Sequence, residues 1–98
     1  MPIHAVLLIM TIQADIWTRK DCGYCTKAKQ LFQKLNIPYK EFIIGAPADQ
    51  PLESHQVAVS REDLLELVPN ARTVPQIWLN GEHVGGYDQL IKHPTVTG

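Results

Sequence analysis

Residues 12–35 change their hydrophobic period once, and that change constrains the fold more than any other stretch. Over Ile12–Thr18, the residues Ile12, Ala14 and Ile16 alternate with Gln13, Asp15 and Trp17, the period of two of a strand. From 23 to 35 the period lengthens. Ala28, Leu31, Phe32 and Leu35 stand at i, i+3, i+4 and i+7 with Lys and Gln between them, which predicts an amphipathic helix. Asn36 and Pro38 end it, and Tyr39–Ile44 is again a short β-rich run. Strand, helix, strand in that order make a parallel crossover unit.

The remainder extends this unit. GAPADQPLESHQ, with Gly45, Pro47 and Pro51, is a polar loop, and the whole of 45–58 reads as a long loop, best taken as a tolerated insertion. Ser60 with Asp63 resembles a helix N-terminal cap; Leu64, Leu65 and Val68 give the helix an apolar face, and Pro69 stops it. Gln76–Leu79 and His83–Val84 flank Asn80-Gly81, a strong hairpin signal. A final helical turn or two follows Asp88 until His93-Pro94 cuts it short. The order is β-α-β-α-β-β-α, an α/β class with a mixed four-stranded sheet and helices on both faces. Trp17, Phe32, Phe42 and Trp78 read as core or sheet-face residues.

No repeat, low-complexity tract or linker divides the chain, so residues 1–98 are expected to form one domain with a core over about 11–93. Residues 1–9 are an extra N-terminal segment or lie upstream of a native start at Met10. The stretch MPIHAVLLIM has no basic n-region and no small-residue cleavage site, and is too short to span a bilayer. Nine Lys+Arg against ten Asp+Glu leave a net charge of −1, which makes no case for nucleic acid or membrane as a partner. A cytoplasmic, reducing compartment is the expectation, and there a CxxC is catalytic or metal-binding more often than structural.

The two cysteines of the chain, Cys22 and Cys25, fall where the period changes, at the mouth of the helix. A tetrahedral zinc site needs four ligands, and no second CxxC or His pair supplies them. As a staple, a disulfide across two residues restricts the unfolded chain little. A redox pair is the remaining reading, and it is the one that a strand-CxxC-helix context supports. Cys22 at the helix N-terminus meets unpaired N–H groups and the positive end of the macrodipole, both of which favour a thiolate. Cys25, one turn on, is expected to be more buried and placed to attack a mixed disulfide on Cys22. Gly23 lets a substrate approach the backbone closely. Arg19, Lys20, Lys27 and Lys29 surround the pair and only Asp21 opposes them. Such a cluster lowers a thiol pKa and attracts an anion, and it is equally what a solvated helix face shows.

Two further segments carry a resemblance. Thr73-Val74-Pro75 precedes the third strand, and Gly85-Gly86-Tyr87-Asp88 follows the fourth. With Trp17-Thr18-Arg19 and Cys22-Gly-Tyr-Cys25, the chain from Ile12 to Ile91 resembles a dithiol glutaredoxin of the thioredoxin-like fold. GGYDQL is similar to the phage-type members that feed ribonucleotide reductase. The resemblance implies a glutathione-dependent thiol–disulfide oxidoreductase acting on protein–glutathione mixed disulfides and protein disulfides, working as a monomer with glutathione as cosubstrate and no required metal. It implies Cys22 as nucleophile and Cys25 as resolving thiol.

For glutathione it implies a site made of Arg19, Tyr24, Thr73, Val74, Pro75, Gly86, Tyr87 and Asp88. Pro75 would be cis, turning the Val74 backbone towards Cys22 so that a peptide backbone pairs with it as an added strand. Gly85-Gly86 would supply positive φ and close approach, the N–H groups of Tyr87 and Asp88 would bind the γ-glutamyl carboxylate, and Arg19 the glycyl carboxylate. Tyr24 would lie beside the bound sulfur. Gly23 departs from the usual motif proline, and Gln89 stands where many members carry a second acid. The departure at Gly23 brings an alternative: a [2Fe–2S] cluster held between two copies through Cys22 and bound glutathione, four thiolates in all, in a carrier or sensor.

Overall fold

The computed structural model describes residues 12–97; the expectations for residues 1–9 and for a start at Met10 lie outside them. The first strand, β1 (Ala14–Arg19), buries Ala14, Ile16 and Thr18 on one face and Trp17 on the other. Helix α1 (Gly23–Lys34) buries Cys25, Ala28 and Phe32. Leu35, predicted as the last residue of that face, is instead its C-cap and is exposed; Asn36 turns the chain at φ 58°, a value that asparagine tolerates. Strand β2 (Tyr39–Ile44) then pairs in parallel with β1.

The sheet has five strands, not four. Gln56–Val59, at the end of the expected loop and one residue beyond it, forms β3, parallel to β2 with Phe42 opposite Val57 and Ile44 opposite Val59. Two forces override the loop-like composition. The free edge of β2 offers unpaired backbone groups, which His55 and Val59 carbonyls meet by accepting from Glu41 N–H at 2.9 Å and Gly45 N–H at 3.2 Å. Val59 also packs against the core cluster around Trp17.

Helix α2 (Arg61–Leu67) starts on a full capping box: Asp63 N–H donates to Ser60 Oγ at 3.0 Å and Ser60 N–H to Asp63 Oδ2 at 2.9 Å. Strands β4 (Gln76–Leu79) and β5 (Glu82–Gly85) form the expected antiparallel hairpin, with Asn80 and Gly81 both at positive φ, the conformation of a primed two-residue turn. Two short helices follow, α3 (Tyr87–Lys92) and α4 (Pro94–Thr97).

Strand order is β3-β2-β1-β4-β5, with β4 antiparallel to β1. One core cluster joins Ala14, Ile16, Ala28, Phe32, Ile37, Ile77, Leu79 and Leu90, the α1 and α3 face. The other joins Trp17, Leu64 and Ala71, with Phe42, Val59, Val74 and Trp78 partly buried against it, the α2 face. Helices therefore cover both faces, as expected, and the mixed α/β architecture stands.

Candidate functional site

Where β1 ends, Lys20 and Asp21 turn the chain, with Asp21 at φ 59°, and Cys22 becomes the N-cap of α1 in an extended conformation. Its sulfur accepts from Cys25 N–H at 3.1 Å, so an otherwise unpartnered N–H of the first turn points at the sulfur. Cys22 and Cys25 are joined as a disulfide, Cα–Cα 5.2 Å. Cys25 is 2% exposed, while Cys22 is part-buried and opens to the surface. The pair thus has an outer and an inner member.

The next segment of the site comes from far along the chain. The Val74–Pro75 bond is cis, and the Val74 carbonyl lies 3.7 Å from Cys22 Sγ. Pro75 is buried, whereas Thr73 is exposed and Val74 half-buried. Gly85 takes φ 117° and Gly86 does not take a positive value, so the first glycine alone supplies the left-handed turn. A Cβ on Gly86 would stand 3.4 Å from Gln89 Oε1 and 3.6 Å from the Pro75 carbonyl, ordinary contact distances, so the close approach expected of this glycine is not required by its neighbours.

Tyr24, Thr73, Val74, Pro75, Gly86, Tyr87 and Asp88 line one groove of about 290 Å³, together with Gln89. The rings of Tyr24 and Tyr87 lie 5.8 Å apart, and Lys27 Nζ sits 5.2 Å from the Tyr24 ring centroid. Arg19 lies on the other side of Val74, in a hollow it shares with Arg72, Thr73 and Val74. The residues singled out in the sequence are therefore brought to one end of the sheet, in two depressions that meet at Val74.

Arg72 and Glu41 were not foreseen, and Gln89 was noted only as a departure from the family pattern. Arg72, directly before Thr73-Val74-Pro75, was within reach of the motif but lies outside it. Gln89 turns back so that its Oε1 accepts from Gly86 N–H at 2.9 Å, capping α3 from within. Glu41 is an acid in the middle of an apolar strand, and that anomaly was the available signal. It is 3% exposed and accepts from Thr18 Oγ1 at 2.7 Å, Lys29 Nζ at 2.9 Å and Gln56 Nε2 at 3.1 Å. Burial pushes its carboxyl pKa up, but the three hydrogen bonds and the Lys29 charge outweigh burial and hold it below the ordinary value. Lys29 is thereby neutralised, leaving Arg19, Lys20 and Lys27 as the cations of the cysteine neighbourhood. Glu41 and Lys29 line the same depression as Cys22 and Cys25.

Of the two cysteines, Cys22 alone has its residue open to the surface, where the resemblance would put a cluster ligand. Among the described residues no group of three or more His, Cys, Asp or Glu side chains is placed to hold a metal ion, and no helix is long and apolar enough to cross a membrane.

Comparison with known proteins points to one family. A family model described as glutaredoxin matches residues 14–84. Glutaredoxin 1 of Rickettsia bellii is 37% identical over 88 residues, 90% of this chain and 74% of that protein. The hybrid peroxiredoxin hyPrx5 of Haemophilus influenzae is 32% identical over 79 residues, 81% of this chain but only 28% of that protein. Among solved structures, glutaredoxin 1 from Francisella tularensis complexed with cacodylate superposes with TM-score 0.63 at 31% identity, covering 83% of this chain and 90% of its own. The buckwheat glutaredoxin–glutathione complex gives 0.62 at 26% identity, covering 91% and 74%.

Proposed function

The chain belongs to the glutaredoxin family, and from that membership we propose that it is a glutathione-dependent thiol–disulfide oxidoreductase. The observation that carries the reading is the placement of Cys22 Sγ against the Val74 carbonyl, between the Tyr24–Tyr87–Asp88 groove and the Arg19–Arg72 hollow. A tripeptide laid along Val74 by strand addition would bring its cysteine to Cys22, one end to each depression.

In the proposed reaction the reduced Cys22 thiolate, stabilised by the α1 N-terminus and the Cys25 N–H, attacks the glutathione sulfur of a protein–glutathione disulfide. The protein leaves as its thiolate and takes a proton, and a Cys22–glutathione disulfide forms. A second glutathione thiolate then displaces Cys22 and departs as glutathione disulfide. On the alternative route Cys25 attacks the Cys22 sulfur, glutathione leaves, and the Cys22–Cys25 disulfide results; two glutathiones restore the dithiol. Arg19 and Arg72 would take the glycyl carboxylate, and the Tyr87 and Asp88 N–H groups the γ-glutamyl carboxylate. What supports glutathione as ligand is the family and the neighbour solved with it.

Protein disulfides enter by the same attack, ribonucleotide reductase among them, a substrate supported by the resemblance of GGYDQL to phage-type members. The reading sets the enzyme in a reducing compartment such as the cytoplasm, acting as a monomer, since one chain supplies every proposed contact.

The test is glutathione-dependent reduction of a small glutathione mixed disulfide, coupled to glutathione reductase, in the wild type, Cys22→Ser and Cys25→Ser. Wild-type turnover, abolished in Cys22→Ser and retained in Cys25→Ser, is expected. Absence of wild-type turnover would refute the glutathione reading.

A further inference from the structure

Three arginines line one hollow of this surface. Arg19 ends β1, Arg61 opens α2 and Arg72 precedes the Val74 segment; all three are exposed and rim one hollow of about 190 Å³ floored by Ile44, Leu64 and Val74 among others. No acidic residue lines it. Among the described residues no carboxylate comes within 4.0 Å of any of the three, and the Asp63 carboxylate of the same helix is committed to Ser60 N–H.

Folding alone does not ask for this arrangement. Like charges in one place repel, the chain as a whole carries −1, and Arg61 stands on the first turn of α2, where the helix dipole disfavours a cation. In the reading above, glutathione brings one carboxylate to this hollow, and that carboxylate is assigned to Arg19 and Arg72. Arg61 is then surplus to glutathione.

Direction follows from the same reading, on which this inference rests. The γ-glutamyl end takes the groove at Tyr87, so the segment after the reactive cysteine runs across Val74 towards the arginines. An extended chain advances about 3.3 Å per residue, so the first and second residues after the cysteine pass over the hollow. We propose that Arg61 is a specificity-determining residue that favours protein disulfides whose reactive cysteine is followed within two residues by acidic side chains. The hydrophobic floor accepts the stems of those side chains, and the guanidinium rim their carboxylates.

Symmetric disulfides of N-acetylated, C-terminally amidated tetrapeptides test this, with two aspartates, two asparagines or two lysines after the cysteine. Amidation removes the terminal carboxylate as a competing source of charge. Reduction by glutathione is followed through glutathione reductase in the wild type, Arg61→Ala and Arg61→Glu, with circular dichroism melts to show that each variant is folded. The wild type should show kcat/KM about fivefold higher for the aspartate than for the asparagine peptide, the size of an exposed, well-formed ion pair, with lysine lowest. Arg19 and Arg72 remain in both variants, so Arg61→Ala should reduce the ratio to about twofold and Arg61→Glu to about one, and 0.5 M salt should shrink the wild-type preference.

Turnover of the small glutathione mixed disulfide with equal rates for the three peptides would overturn this inference alone, as would an aspartate preference of unchanged size in Arg61→Ala. Failure of wild-type turnover of the small glutathione mixed disulfide would overturn the glutathione reading and this inference together.

Discussion

Cys22 caps the helix that it serves, and Gly23 beside it is the most permissive position in the site. Nothing lies within 4 Å of where a Gly23 Cβ would stand. Gly23 is the first residue of α1, where the N–H has no intrahelical partner, and Cys22 at φ −112°, ψ 104° already has the conformation that precedes proline. Gly23→Pro should therefore stabilise the fold by about 0.4–1 kcal/mol through the unfolded chain, raising Tm by roughly 2–8 °C in a domain of this size. A melt that falls on substitution would show the space to be closed. At this scale the sequence was informative where chemistry sits in a short motif: Cys22, Cys25, Thr73, Val74 and Pro75 could all be named. Arg61 and Arg72 were not, because their meaning arises only when 19, 61 and 72 are brought to one hollow, and each alone is an ordinary surface arginine.

At the scale of elements, Glu41 ties four of them together, taking hydrogen bonds from Thr18 of β1, Lys29 of α1 and Gln56 of β3 while itself on β2. Because its folded pKa lies below the unfolded value, its stabilisation is present above the unfolded value of about 4.3 and is lost as pH falls through the folded value. Glu41→Gln should cost about 1–3 kcal/mol at pH 7. That cost should shrink as pH falls through the folded value, where the wild type loses the same charge, as read from urea midpoints at pH 7 and at a pH acid enough to protonate the carboxyl. A difference unchanged between them would show that the charge does not stabilise the fold. This network also explains the element that composition concealed. Val57 and Val59 alternate with Gln56 and Ala58, but four residues behind Pro47, Pro51 and Ser54 are too short a run to be told from loop. What makes β3 a strand is an edge and a carboxylate on β2, both tertiary. The crossover unit, the Ser60–Asp63 cap and the Asn80-Gly81 hairpin were legible because each is written within a few neighbouring residues.

Across the whole molecule, stability divides between two cores separated by the sheet. Phe32, fully buried among Ile16, Ala28, Ile77 and Leu90, anchors the face against which the cysteine helix lies. Phe32→Ala should remove about 3–5 kcal/mol, a large part of the 5–15 kcal/mol typical of a domain, lowering Tm by more than about 12 °C. A drop of only a few degrees in a calorimetric scan would mean that the core refills the space. The topology could be anticipated because the order of elements admits few arrangements; the central placing of β1, between β2 and β4, is what collects the site. Val74 follows Cys22 by 52 residues, and it reaches the sulfur only once β4 has paired with β1. During synthesis, then, both thiols leave the ribosome long before the backbone that chooses their partners. Until that backbone has emerged and β4 has paired they are an ordinary peptide dithiol, open to any disulfide nearby, and discrimination arrives with the Thr73–Pro75 segment.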